Sequence, residues 1–144
     1  AIETAHRQGV LHRDIKPSNI MLTAYGHPVL SDFGIASSLN AASAQESVGM
    51  SIPWSAPEVL LDETTGSVQS EVWSLAATLY TLLAGRSPFE VVDGSNASEA
   101  LIGRISRARM PSLDREDVPE SLEAVLRLAL HPAPAPAPLL HLTL

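Results

Sequence analysis

The chain has no cysteine, so it can hold neither a disulfide framework nor a thiolate metal site. It is also short of positive charge: nine Lys and Arg residues face sixteen Asp and Glu, for a net charge of −7. A broad nucleic-acid footprint needs a basic face, so the balance argues against a nucleic-acid partner. Among the nine bases, Lys16 is the single lysine and the other eight are arginine. Chemistry that needs two lysines from this chain is thereby ruled out. The most apolar run, residues 71–85, is too short and too closely flanked by charge to span a bilayer, which takes ~20 apolar residues. No membrane segment is expected, and the expected location is cytoplasmic, with any anchor outside this chain. The opening AIETAHRQGV has no initiator methionine and no leader pattern, and reads as the middle of a longer protein.

What is present is globular in character. The 144 residues are 45% hydrophobic and 17% charged, enough for one domain with a modest core. Residues 1–8 read as the end of a helix closed by Gly9. NIML (19–22) and PVLSDF (28–33) read as a hairpin with Gly26 near its turn. SSLNAASAQES (37–47) is small, polar and aperiodic, and reads as a loop. EVWSLAATLYTLLAG (71–85) predicts a helix buried on most sides and ended by Gly85. Asn96 and Glu99 have capping-box spacing ahead of ALIGRI. A last helix is expected to start at Asp117, with Pro119 in its first turn and Glu120 at N3. Leu122, Val125, Leu126, Ala129 and Leu130 would be its apolar stripe. From His131 onward, HPAPAPAPLLHLTL alternates proline with alanine and predicts an extended, unpacked tail over 131–144. Trp54 and Trp73 are expected in the core, and His6, His27, His131 and His141, without ligand spacing, at the surface.

The densest chemistry lies in HRDIKPSNI (12–20). Asp14 can accept a proton from an attacking hydroxyl or orient it. Lys16, two residues on, can neutralise charge building up on a transferring phosphoryl group. Asn19 and, thirteen residues later, Asp32 offer an amide and a carboxylate oxygen, hard ligands suited to Mg²⁺ beside substrate phosphates. Together they amount to half of an in-line phosphoryl-transfer site.

These residues carry a specific resemblance. H-R-D-x-K-x-x-N at 12–19, D-F-G at 32–34 and A-P-E at 56–58 stand in order and at ordinary spacing. Over residues 1–130 the chain resembles the C-terminal lobe of a eukaryotic-type serine/threonine protein kinase. GMSIPWSAPE and the alanine- and arginine-rich composition resemble a bacterial, actinobacterial member. The resemblance implies an α+β, mainly α, kinase-like large lobe, incomplete, with the small lobe absent. It implies ATP and Mg²⁺ as cofactors and a protein serine or threonine as substrate. Asp14 would be the catalytic base, Lys16 the phosphate-contacting residue, and Asn19 and Asp32 the Mg²⁺ ligands. His12, Phe33 and Gly34 would be structural. Ser51 would hydrogen-bond the catalytic loop, and Arg13 would order an activation segment phosphorylated at Ser37, Ser38, Ser43 or Ser47. The family's central helix usually begins with an Asp that accepts bonds from the catalytic-loop backbone; here the position holds Glu71, one methylene longer.

Other family parts are missing. No G-x-G-x-x-G occurs, and the one lysine is already assigned, so no strand lysine or Gly-rich loop is present to hold the nucleotide. The arginine expected near 131–140 to pair with Glu58 is also absent, which leaves Arg86, Arg104, Arg127 or water as its partner. The expectation is therefore serine/threonine phosphorylation by a longer kinase that includes the absent N-lobe. The alternative is a catalytically inactive truncated lobe, serving as a binding or scaffold module or left as a degenerate gene product.

Overall fold

The computed structural model describes residues 1–32 and 51–132. Expectations for Phe33, Gly34, Ser37, Ser38, Ser43, Ser47, His141 and the Pro-Ala tail beyond Pro132 lie outside the described residues.

The described chain is mainly helical with one small sheet. Helix α1 (Ile2–Arg7) ends at a left-handed Gly9, φ 74°, whose N–H donates to His6 O at 3.0 Å. A 3-10 turn at Pro17–Asn19 leads into β1 (Ile20–Leu22), which pairs antiparallel with β2 (Pro28–Leu30) in the register Ile20↔Leu30. Gly26, at φ 77°, closes the connection by donating to Thr23 O at 2.9 Å. A second 3-10 turn (Ile52–Trp54) precedes the short α2 (Pro57–Leu60). Three longer helices complete the fold: α3 (Val68–Ala84), α4 (Ser98–Arg107) and α5 (Glu120–Ala129).

Helix α3 organises the packing, contacting both 3-10 turns and α5. It starts three residues before Glu71, where Ser67 accepts from Ser70 N at 3.0 Å and Ser70 Oγ accepts from Ser67 N at 2.8 Å. Gly85 ends it in the left-handed conformation, φ 80°, as its sequence predicts. The expectation that the helix over 71–85 is buried on most sides holds, apart from one exposed strip. Trp73, Ala76, Ala77 and Tyr80 enter the core, whereas Val68, Val72, Leu79 and Leu82 form an exposed strip. Apolar composition does not bury a face that lacks a partner among the described residues. Trp73 stacks on Phe89 with centroids 5.7 Å apart, and half-buried Trp54 donates to Thr81 Oγ1 at 2.9 Å. Burial pushes the Tyr80 phenol up, against the opposing influence of Arg86.

Both helix starts read from the later sequence are corrected. Helix α4 begins after Ala97 with no side-chain cap. Asn96 instead clasps Val91, accepting from its N–H and donating to its carbonyl, both at 2.8 Å. Helix α5 begins after Pro119, and Asp117 pairs with Arg115 rather than capping it. Along α5 only Leu126 is buried, with Leu130 just beyond its end, while Leu122 and Val125 are exposed. A periodic stripe marks where apolar residues fall on a helix; how far a neighbour covers that stripe depends on distant chain.

Candidate active site

The site is built on the loop from Val10 to Lys16 and on the first turn of α3. Arg13 adopts φ 74°, a left-handed conformation that costs a non-glycine residue about 1–2 kcal/mol. The loop is held there from behind. Glu71 Oε1 accepts from His12 N at 2.9 Å, and Oε2 accepts from Arg13 N at 2.6 Å. The extra methylene of Glu71 therefore leaves both carboxylate oxygens within reach of the loop backbone. Glu71 is only 4% exposed, and an ionised carboxylate so placed needs these donors.

His12 is buried and ties the loop to the hairpin. Its Nε2 donates to Ser31 O at 2.6 Å, and its Nδ1 accepts from Asp14 N at 3.0 Å. These partners assign the ring proton to Nε2 and the lone pair to Nδ1. The next residue after Ser31 is Asp32, exposed and at φ 58°.

Asp14 lies at the centre of a compact polar cluster. Its Oδ1 accepts from Ser51 Oγ at 2.7 Å, across 37 residues of sequence. Its Oδ2 accepts from Asn19 Nδ2 at 3.2 Å and lies 3.5 Å from Lys16 Nζ. Asn19 Nδ2 also donates to the Asp14 carbonyl at 2.7 Å. Lys16 Nζ donates to Ser51 Oγ at 3.1 Å, so one hydroxyl links the cation to the carboxylate. Lys16 has extended backbone, φ −158°, immediately ahead of the Pro17–Asn19 turn. The turn buries Asn19 beneath Asp14, and Asn19 O accepts from Ser31 N at 2.8 Å.

The structure thus unites Asp14, Lys16, Asn19, Ser51 and His12, with Glu71 and Arg13 behind them. Glu58 stands apart. It is half-buried and makes no ion pair among the described residues. The three arginines considered for it are used elsewhere. Arg104 donates to Phe89 O, Ser95 O and Asn96; Arg127 donates to Met110 O and faces Glu123; Arg86 lies beside Tyr80.

One expectation is overturned at this site. His6 is not a surface residue: its side chain is 9% exposed, and its Nε2 lies 2.7 Å from Glu71 Oε1. No local signal marks this pairing, because the two residues are 65 positions apart.

Asn19 and Asp32 are oxygen donors on adjoining segments. Because the Asn19 amide nitrogen is committed to Asp14, its Oδ1 is the atom left for a cation. Asp32 makes no ion pair among the described residues, so the pair fits a hard cation in ligand chemistry. No cluster of three or more His, Cys, Asp or Glu side chains suited to a metal occurs among the described residues.

The site thus holds a loop carboxylate bonded by a hydroxyl and an amide, with a lysine ammonium 3.5 Å away. Residues 1–134 match the protein kinase domain model, and the chain belongs to the protein kinase family. Over 140 residues it is 39% identical to serine/threonine-protein kinase PknK of Mycobacterium bovis, and equally so to PknK of Mycobacterium tuberculosis. Over 135 residues it is 30% identical to serine/threonine-protein kinase KIC1 of Saccharomyces cerevisiae. These alignments cover 95% and 93% of the chain, yet in each case only 12% of the relative's length. They bear out the resemblance to the eukaryotic-type serine/threonine kinases read from the motifs. The family generally uses ATP and Mg²⁺. Among the described residues, no helix is long and apolar enough to cross a membrane.

Proposed function

We propose that residues 1–130 are the large, C-terminal lobe of a kinase that transfers the γ-phosphoryl group of ATP to protein serine or threonine, with 131–144 a tail outside the lobe. The observation that carries this reading is the Asp14 carboxylate, held by Ser51, Asn19 and Lys16 at the lip of the loop. Asp14 orients the acceptor hydroxyl and takes its proton as the oxygen attacks phosphorus. Lys16, already pointed at this carboxylate, offsets negative charge on the transferring group. Ser51 keeps Asp14 from rotating away. Asn19 and Asp32 would hold Mg²⁺, which would neutralise negative charge on the phosphates. Arg13 is exposed and would meet a phosphate on the segment that carries Ser37, Ser38, Ser43 and Ser47. The small lobe would come from a longer protein and supply the remaining nucleotide contacts.

A second reading is an inactive lobe that serves as a binding module. Incorporation of labelled phosphate separates the two when it is compared with Asp14→Asn. Transfer above that control supports an enzyme; equal background in the chain and in a longer protein containing it removes the enzymatic reading.

A further inference from the structure

A cavity of about 40 Å³ lies where the loop that carries Asp14, the segment after the second 3-10 turn and helix α3 meet. The phosphoryl transfer just described makes no use of it. Arg13 of the loop, Ser55, Thr65, and Ser70, Glu71 and Ser74 on α3 are among the residues that line it. One water needs roughly 10–15 Å³ of such space, so there is room for it. Cavities that stay dry are apolar, whereas this one is bordered by four hydroxyls and a carboxylate.

The lining selects the occupant. Ser55 Oγ donates to Ser51 O at 2.9 Å, Ser70 Oγ to Ser67 O at 2.9 Å, and Ser74 Oγ to Ser70 O at 3.1 Å. A hydroxyl has one proton to give, so towards any further partner these three oxygens only accept. Glu71 adds acceptor capacity. Among the described residues its Oε2 receives one hydrogen bond, from Arg13 N at 2.6 Å, and a carboxylate oxygen can take two. An anion would find no donor on the serines and would be repelled by Glu71. A cation would meet the Arg13 guanidinium, whose Nε passes 4.0 Å from the place a Cβ on Gly66 would take, at the wall of the cavity. A small neutral donor avoids both conflicts.

We propose that the cavity is the seat of a structural water, which donates to Ser55 Oγ and Ser74 Oγ and so joins the segment that bears Ser51 to α3. Ser55 Oγ also holds the Ser51 carbonyl, so the water braces the residue whose hydroxyl bonds Asp14 and Lys16. The water site stands on the cavity and its lining; its catalytic consequence rests on the kinase reading above.

A crystal structure of the full 144-residue chain, at a resolution that shows ordered water, tests the site. The expected result is a single peak about 3 Å from both Ser55 Oγ and Ser74 Oγ. A cavity with no peak, or one filled by the Arg13 guanidinium, would overturn the proposal. Unfolding in urea gives a second readout. Ser74→Ala removes one partner of the water. Ser106→Ala is its control: Ser106 Oγ makes the equivalent bond within α4, to Ile102 O at 2.9 Å, and Ser106 does not line the cavity. Ser74→Ala should raise the unfolding equilibrium constant roughly fivefold more than Ser106→Ala does, the effect of one buried hydrogen bond. Equal effects would overturn the bridge. In a longer protein with kinase activity, Ser74→Ala should lower kcat about threefold and leave KM for ATP within about twofold. A kcat at the parent value there would overturn the bracing of Ser51. If Asp14→Asn shows the same background as the parent, the kinase reading has failed; the crystal and unfolding results still judge the water.

Discussion

Ser51 Oγ donates to Asp14 Oδ1 at 2.7 Å while accepting from Lys16 Nζ at 3.1 Å, so a residue just before the second 3-10 turn aligns two residues of the loop. A carboxylate on a loop has rotational freedom that costs rate whenever it must be frozen during reaction. Here the bonds from Ser51 and Asn19 remove much of that freedom from Asp14.

If the proposed kinase reading holds, Ser51→Ala in a longer protein with kinase activity should lower kcat by about 10–100-fold, the cost of a misaligned reacting group. Ser51→Thr, which keeps the hydroxyl, should retain most of it. Initial rates of labelled phosphate transfer to a protein acceptor distinguish the two. Equal loss in both variants would show that volume, not the hydroxyl, matters at this position.

Removal of Glu71 is a stability experiment. In Glu71→Ala, His12 N and Arg13 N lose their acceptor, His6 loses its partner, and the left-handed Arg13 loses its restraint. The expected cost is about 2–5 kcal/mol, read from urea unfolding. A loss below about 0.5 kcal/mol would mean that the loop finds other acceptors.

Glu123 makes a prediction in pH. A hydrogen bond from Ser112 and one from Leu113 N, at 3.0 Å, hold its carboxyl below the ordinary value of 4.5, with Arg127 adding a smaller pull. A lowered value in the folded chain means that the unfolded chain takes up the proton first. The stabilisation is complete above about pH 4.5 and disappears as pH falls through the folded value. Glu123→Gln should consequently lose less stability between about pH 6 and about pH 3.5 than the parent chain, measured as the shift in urea midpoint. An identical shift in both would assign the acid sensitivity elsewhere.

The start of α3 can be tested by Ser67→Ala. The substitution deletes the oxygen that accepts from Ser70 N at 3.0 Å. A loss of about 1 kcal/mol is expected, within the ~0.5–2 kcal/mol found for caps. Because α3 also carries Glu71, the same variant should speed exchange of the Arg13 amide. Retained exchange there would separate the cap from the loop.

The sequence made the loop chemistry legible because its residues are local to one another. Asp14, Lys16 and Asn19 fall within six positions, and the 3-10 turn at Pro17–Asn19 brings the amide back under the carboxylate. Gly9, Gly26 and Gly85 were equally legible, since a left-handed residue at a turn leaves a direct mark on composition. Nothing comparable marks His6, whose partner is 65 residues away. Asn96 shows the opposite failure. Its spacing to Glu99 matches a capping box, but its amide satisfies both backbone groups of Val91 and leaves none for the helix. The apolar periodicity of α5 located a helix without revealing that Val125 would face water.

Glu71 has a mechanical consequence of its own. The loop takes its position from the phase of α3 rather than from its sequence neighbours. A residue inserted between Ser67 and Glu71 would turn the carboxylate by about 100° and carry it ~1.5 Å along the axis, releasing His12 and Arg13 together. One inserted within residues 61–66, ahead of the Ser67 cap, would leave that phase untouched. The helix acts as an index pin: chain length can drift before it, but not between its first residue and the carboxylate that engages the loop.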